Sequence, residues 1–566
     1  MKITKSQKKH LKKYIKSKSI ENISKELNMP IKDLEDYLRE IWGKEKFNNF
    51  KICKKEIKLK AAKYNRIYIF LFLAFLVLVC YLNSLGNDFV SDDIFTISSN
   101  PKINSLDYLN SPLFFNIRNA VIFLTNKLFG LNPTYFRVPN ILLHLGSSFL
   151  IFILVGALIS ETVGLLTASI FAVHPLMTEA VSWISGGPYV YTAFLALLML
   201  YLYLKSNKHI KLYFLSLLAL VTSVNIIVHS APFGLLLITL ETSFGKLKTS
   251  WKKVAPYLLI VLSIIPIAMS LAKQRAQGLQ IDYYQKKAFI NPLIQIPTAI
   301  GEYLKLIFWP KDLTLYHTEL SFSPLSYLVH LSSFLGFIIL IFFLYKKDRK
   351  LIFWPLLFLI ALSPTLTPLG ISWVVAERYA YLASVGIFVL IAWTINLLLN
   401  KFFGDNKKAL YIALTIIIIP LSVRTIIRNK DWQSHDTLWL ATAKVSPSSP
   451  QNHNNLGDYY GRYNQYEKAI EEFKKAIELK PGYADAYHNL ANTYGQLGDI
   501  QNAITNYEEA IKFNHNLWQS YQNLGAIYFD LGDKVKAKEY IEKALGINPG
   551  NENLRRTLDV IRGLSF

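Results

Sequence analysis

The sequence predicts an all-α protein: a polytopic bundle of membrane-crossing helices, then a soluble helical solenoid, with a small helical module ahead of both. Three observations lead there. Of 566 residues, 52% are hydrophobic and only 18% charged, with a mean hydropathy of +0.25, a membrane-protein profile. Apolar stretches such as Ile67 to Leu82, Ile141 to Leu158 and Val375 to Leu399 approach or exceed the ~20 residues that cross a bilayer. From about Trp432 the chain turns polar and takes up a 34-residue period, which marks stacked helical pairs.

Residues 1–60 form the leading module. Ile20, Ile23, Leu27, Pro30, Leu34 and Leu38 resemble a helix-turn-helix apolar pattern. Its second helix carries Asp33, Glu35, Asp36 and Glu40 where a recognition helix would meet phosphate, so no nucleic acid is expected and a cap or partner-docking module is. The net charge is +23, and residues 1–65 hold 19 Lys/Arg against 8 Asp/Glu, which predicts a cytoplasmic N-terminus. The first apolar run is long and lacks a small-residue cleavage site, so it reads as a retained anchor. Cys53 and Cys80 are the only cysteines, too few for a disulfide framework or a cysteine metal site.

The membrane domain is expected over residues 61–430. Spans are predicted near 66–85, 135–157, 162–175, 187–205, 210–226, 229–244, 254–272, 324–345, 351–367, 379–400 and 408–426. Basic links at Lys205 to Lys211, Lys246 to Lys253 and Lys346 to Lys350 then fall on the cytoplasmic side, provided Ile294 to Trp309 is re-entrant or interfacial. This gives about 11 spans, in a multi-pass protein of the cell (inner) membrane with its last domain outside.

That last domain, 431–566, repeats near 450–483, 484–517 and 518–551. Asn455-Leu456-Gly457, Asn489-Leu490-Ala491 and Asn523-Leu524-Gly525 recur every 34 residues, as do Ala469, Ala503 and Ala537 and the tyrosines Tyr460, Tyr494 and Tyr528. Pro447, Pro481 and Pro549 close repeats, with His515 replacing one. This is the tetratricopeptide (TPR) signature, in which small and aromatic positions let helix pairs stack and offer a surface to protein partners. Asp431 to Val445 reads as a leading half-repeat and Asn553 to Arg562 as a closing helix.

The charge-derived topology places Asp92, Asp93, Arg118, His174, Glu179, Glu377 and Arg378 on one face, with a loop bearing Lys273, Arg275, Lys286 and Lys287. Adjacent carboxylates near a membrane boundary are costly and call for a reason. A base beside phosphate-binding cations suits transfer of a group carried on a lipid phosphate. Plainer readings exist: His174 caps a helix end against Pro175, Glu377 and Arg378 form an internal ion pair, and the lysines are solvated. Convergence on one face favours a site.

The motifs Phe89-Val-Ser-Asp-Asp93 with Asn100-Pro101, Phe129-Gly-Leu-Asn-Pro133 with Asn140-Ile-Leu-Leu-His144, Phe171-Ala-Val-His-Pro175 with Thr178-Glu179-Ala180-Val181, and Ala376-Glu-Arg-Tyr379 with Ser384-Val-Gly386 occur in that order. Together with the repeats they resemble the transmembrane-and-TPR O-mannosyltransferases and their prokaryotic relatives, of the GT-C class of membrane glycosyltransferases, over residues 66 to 563. The resemblance implies inverting transfer of a sugar from a polyprenyl-phosphate donor, as co-substrate, to a protein hydroxyl or glycan on the extracytoplasmic face. A divalent metal is possible as an aid, and no metal-binding residues are assigned. Asp92 is carried over as the general base and Asp93 as its acidic neighbour; Arg378, His174 and Arg118 would bind the donor phosphate, and Glu179 and Glu377 would orient them. Where relatives have an Arg and an Asp, this chain has Gly186-Gly187-Pro188-Tyr189, and where many have a Lys it has Val228-His229-Ser230. Those losses of charge favour the alternative of an inactive scaffold that presents the repeats. A transporter is disfavoured because no internal duplication with paired broken helices is visible.

Overall fold

The computed structural model describes residues 24, 27, 29–42, 65–109, 116–207, 209–245, 247–278, 291–320, 323–366, 374–404 and 406–563. Among them every regular element is helical. Of the leading module, the helix Ile31–Trp42 is described, with Leu34 and Leu38 buried; most of the expected first helix lies outside the described residues. So do Lys286 and Lys287, and the side chains of Lys273 and Arg275.

Among the described residues seven helices are long and apolar enough to cross a membrane: Arg66–Ser84, Pro133–Leu158, Ile184–Lys205, Leu247–Leu271, Pro324–Lys347, Glu377–Phe403 and Lys407–Asp431. The bent pair Glu161–Val173 and Pro175–Ser182, with a 55° break, brings the number to as many as eight. The expected eleven are not all such helices. Ile210–Ile226 is apolar but shorter. The stretch expected at 229–244 divides into a 3₁₀ turn, Val228–Gly234, and a nine-residue helix, Leu235–Ser243. In that expected at 351–367 the described residues form the end of a 3₁₀ turn, Arg349–Ile352, the ten-residue helix Phe353–Leu362 and a second 3₁₀ turn, Ser363–Thr365. Hydropathy counts apolar residues, whereas Pro232, without an amide hydrogen, favours a break in the helical ladder. Pro292–Phe308 is a 17-residue helix carrying Glu302 and Lys305, and it does not reach the length of the long spans.

Local sequence sets the helix starts. Asn100-Pro101, Asn132-Pro133 and Asn291-Pro292 each place an asparagine whose side chain accepts an amide of the first turn, followed by proline at the first helical position; both choices suit groups that lack intrahelical partners. Close packing then needs small residues. A Cβ on Gly164 would lie 2.7 Å from the Phe152 carbonyl oxygen, and one on Gly386 would lie 2.2 Å from that of Trp354. The segments where the chain leaves or enters these helices meet one another: Asn83 donates to the Ile426 carbonyl, Thr134 to that of Leu85, Thr425 to that of Val173, and the Arg378 amide to Glu179.

After the last span, His435–Val445 leads into three helix pairs, Pro450–Arg462 with Tyr466–Leu479, Ala484–Gln496 with Ile500–Phe513, and Trp518–Asp530 with Lys534–Ile547, closed by Glu552–Ile561. The 34-residue register has a steric cause. Ala469, Ala503 and Ala537 are fully buried, and a Cβ on Gly457 would sit 2.5 Å from the Phe473 ring. The leading segment docks on the bundle: Trp439 stacks on Tyr316 with 6.0 Å between centroids, and the Ser448 amide donates to Glu319 at 2.7 Å.

Candidate active site

The two aspartates that the sequence treats as a pair have opposite environments. Asp92 is exposed, and its carboxylate has no hydrogen-bond partner among the described residues. Asp93 is fully buried. One of its oxygens accepts from the Ser185 amide at 2.7 Å and the Ser185 hydroxyl at 2.6 Å, and the other accepts from the Val90 amide at 3.3 Å. Burial raises the Asp93 carboxyl to about 6, against the Ser185 and Val90 hydrogen bonds and the charge of Arg137. The residue before the pair, Ser91, has φ of +52°, a conformation that costs a non-glycine residue about 1 kcal/mol or more. A π-helical turn, Ile94–Ser98, follows the pair directly. Strained backbone, a free carboxylate and an anchored one thus occupy three consecutive positions, Ser91, Asp92 and Asp93.

Three elements hold this loop. The Arg137 guanidinium, fully buried, donates to the backbone carbonyls of Asn87, Asp88 and Ser182. The Trp183 indole donates to the Val90 carbonyl at 3.2 Å. From the end of the last span, the Asn429 carbonyl accepts from Asn87 at 3.0 Å, the Gln433 carbonyl from Asp88 at 2.9 Å, and His435 Nε2 from the Ser91 amide at 3.2 Å.

Glu377 and Arg378 pair with different partners, not with each other as the plainer sequence reading had it. Arg378 gives its backbone N–H to Glu179 Oε2 at 2.8 Å and its guanidinium to Oε1, across 199 positions of sequence. Glu377 receives Arg428 at 3.1 Å, and Arg428 also pairs with Asp431 at 2.9 Å. The two systems meet through aromatic rings. Arg378 lies 5.5 Å over Trp183, Trp183 stacks on Trp432 at 5.6 Å, and Arg428 lies 5.7 Å over Trp432. Such contacts are worth roughly 0.5–2 kcal/mol each where water is excluded.

His174 does what the plainer reading expected. It is buried, its Nε2–H donates to the Ile307 carbonyl at 3.0 Å, and its Nδ1 accepts the Leu176 amide at 3.2 Å. Both ring nitrogens are committed, so the ring caps a helix break and has no atom left for a phosphate. Arg118 donates to the Ile184 carbonyl at 3.1 Å and lines a crevice with Asn140 and Tyr191, apart from Arg378. Arg378 instead lines a small cleft, together with Tyr189, His229, Ser230, Thr365 and Tyr379 and an apolar wall that includes Ile227 and Phe233. Among the described residues no three His, Cys, Asp or Glu side chains converge in a way that could hold a metal.

Sequence reasoning missed Arg137, Ser185, Arg428 and Asn429. For Arg137 a signal existed: it is a lone charge inside the otherwise apolar helix Pro133–Leu158, which is costly unless it is partnered. The departure at Gly186-Gly187 has a steric reason. A Cβ on Gly186 would lie 2.5 Å from the Glu179 carbonyl oxygen, and one on Gly187 would lie 2.7 Å from Asn140 Oδ1.

Models described as TPR repeat and tetratricopeptide repeat match residues 463–498, 484–517 and 519–551. Protein O-mannosyl-transferase TMTC3 of Mus musculus is 24% identical over 469 residues, 72% of this chain and 50% of the relative. A protein O-mannosyl-transferase of Caenorhabditis elegans is 25% identical over 459 residues, 73% of this chain and 63% of the relative. This chain is similar to the transmembrane-and-TPR protein O-mannosyltransferases. Protein O-mannosyl-transferase TMTC1 of Homo sapiens shows the same likeness, 24% over 482 residues. The chain spans about half the length of the first of these O-mannosyltransferases, and it is a multi-pass membrane protein with a TPR domain.

Proposed function

We propose that the protein is a membrane glycosyltransferase that moves a sugar from a polyprenyl-phosphate donor to a protein hydroxyl or glycan acceptor on the extracytoplasmic face, with the repeats gathering acceptors or partners. The observation that carries this reading is an exposed, unpartnered Asp92 whose loop is joined through Trp183 to the cleft that holds Arg378.

Asp92 takes the proton of the acceptor hydroxyl as that oxygen bonds to the anomeric carbon. The bond from that carbon to the phosphate oxygen breaks, its electron pair leaves with the lipid phosphate, and configuration inverts. Asp93 does not share this role. Anchored by Ser185 and Val90, it fixes the direction in which Asp92 points. Arg378 faces the leaving phosphate from the cleft, where His229 and Ser230 supply further polar atoms and the apolar wall accommodates prenyl chain. Glu179 orients Arg378, and Glu377 orients Arg428. His174 and Arg118 support the fold of the site and do not bind phosphate. A divalent metal would have Asp92 as its one free carboxylate among the residues discussed, too little to hold a metal alone, and no step is assigned to one.

One observation favours the scaffold reading: the Arg378 charge is balanced by Glu179, which weakens its pull on a phosphate. The two readings separate when the purified protein is given synthetic polyprenyl-phosphate sugars with a hydroxyl peptide. Time-dependent glycosylation of the peptide is expected, and its absence across donor sugars leaves the scaffold. Protease added to intact spheroplasts should remove the repeats; their protection would overturn the orientation.

A further inference from the structure

At the end of the bundle away from Asp92, the helix Arg66–Ser84 begins and the helix Ile184–Lys205 finishes. Arg66 and Lys205 line one recess there, with Tyr201, Glu161 and the residues Phe152, Gly156 and Ala157 of Pro133–Leu158. The first of these helices has 19 residues, which at 1.5 Å each is about 28 Å, close to the thickness of a hydrocarbon core. The recess and the Asp92 loop therefore belong to opposite leaflets.

The recess has the makings of a headgroup site. Its two cations come from different helices, and neither forms an ion pair with a carboxylate among the described residues. The Lys205 ammonium lies 5.9 Å over the Tyr201 ring. Gly156 and Ala157 leave the space between the cations open; a Cβ on Gly156 would already come within 3.4 Å of Glu161 Cγ. Next to Arg66, Ile67, Phe70 and Leu71 are exposed, and Phe70 meets Phe149 edge-on at 5.3 Å, which gives acyl chains an apolar lane from the recess into the bilayer.

Charge selects the occupant. Two cations and one carboxylate leave the lining one positive charge in excess, a match for a phosphodiester monoanion and a poor one for a phosphomonoester dianion. Other cations gather at the same end: Lys253 lies 4.4 Å over Tyr203, and Lys347 lies 4.9 Å over Trp393. They raise the local concentration of anionic lipid, and a basic pocket between membrane helices is where a headgroup is held. We propose that the recess binds one phospholipid of net negative charge, its phosphodiester held by Arg66 and Lys205 and its chains lying along Ile67 and Phe70.

The test is native mass spectrometry of the full chain in detergent, titrated with phosphatidylglycerol, phosphatidylethanolamine or phosphatidylcholine of identical acyl chains. The first phosphatidylglycerol should bind at least fivefold more tightly than either other lipid. The double variant Arg66→Gln, Lys205→Gln should lose at least fivefold in that affinity. The double variant Lys248→Gln, Lys252→Gln, which removes two cations outside the recess, should lose less than twofold. Equal affinity for the three lipids, or an equal loss in both double variants, would overturn the proposal by reducing the binding to diffuse attraction. Displacement of the lipid by equimolar glycerophosphoglycerol, the headgroup without chains, would overturn it in favour of a soluble phosphate ester. Should the Arg66, Lys205 variant misfold, Ala157→Phe decides the matter, because it fills the recess and keeps every charge: the same fivefold loss is expected, and unchanged binding refutes the site. Sugar transfer plays no part in the readout, so the outcome is independent of whether Asp92 proves to be a base.

Discussion

Replacing Asp93 with Asn separates the cost of a buried charge from the value of the hydrogen bonds around it. Burial raises the Asp93 carboxyl from 3.8 to about 6. In the folded protein the group therefore holds its proton over a window in which the unfolded chain has lost it. The stability linked to this group is complete below pH 3.8, declines as pH rises, and is gone above about 6. The shift is about two units at about 1.4 kcal/mol each, on the order of 3 kcal/mol. Asparagine resembles the protonated acid and carries no such dependence. Its oxygen keeps the Ser185 donors, at 2.7 and 2.6 Å in the wild type, while its NH₂ must face the Val90 amide, a donor against a donor, at a cost of roughly 1 kcal/mol or more. Lost charge burial outweighs the lost Val90 bond, so Asp93→Asn should be the more stable protein at pH 7.5 by up to ~2 kcal/mol. The advantage should vanish near pH 4. Hydrogen exchange of residues 87–96 and thermal unfolding of the protein in nanodiscs, both from pH 4.5 to 8, provide the readout. A variant that is less stable at pH 7.5, with the same pH slope as wild type, would refute the reasoning. It would mean that Asp93 is held ionised by its partners at no net cost.

Other perturbations follow from the same geometry. Arg428→Met leaves Glu377, fully buried, with His317 at 3.8 Å as its remaining close ion partner among the described residues, and should cost about 3–5 kcal/mol. Adding Glu377→Gln should restore part of that stability, and strict additivity in thermal unfolding would exclude the pair. Gly186→Ala places a Cβ 2.5 Å from the Glu179 backbone carbonyl, which cannot yield as a side-chain tip would, so a loss of about 1–3 kcal/mol is expected by the same assay. In the repeats, the His453–Glu472 hydrogen bond of 2.6 Å raises the imidazole above its ordinary value. The stabilisation it brings is complete below that ordinary value and is lost as pH rises through the raised one. Melting of the repeats should therefore fall between pH 6 and pH 8.5, and Glu472→Gln should flatten the change.

Different parts of the molecule were legible to different degrees, for physical reasons. The repeats were read at their true register because alanine and glycine positions are imposed by helix contact at a fixed period. The ends of the long spans could be read from asparagine-proline starts and basic links. The short elements at 228–243 and 349–365 were not, because an apolar stretch looks alike whether it crosses a bilayer or breaks into a turn and a two-turn helix. At the site, sequence groups Asp92, Asp93, Glu179 and Arg378 on one face, and the structure joins the aspartate loop to the Glu179–Arg378 pair through Trp183. It could not show that Asp93 is buried while Asp92 is exposed, since adjacent residues on an irregular segment follow no period. Nor could it match Glu179 with Arg378 across 199 residues, or Glu377 with Arg428 across 51; such pairs are set by helix packing, which spacing does not encode. The resemblance implies a phosphate role for His174, whereas its ring serves the backbone at the break between two helices.

The central claim is that Asp92 is the base. Purified wild type and Asp92→Asn, matched for thermal stability, should be compared in transfer of a radiolabelled sugar from a polyprenyl phosphate to a hydroxyl peptide. Asparagine cannot take the proton, so the account predicts a fall in kcat of at least 100-fold with little change in the donor KM. Equal kcat for the two proteins would contradict it.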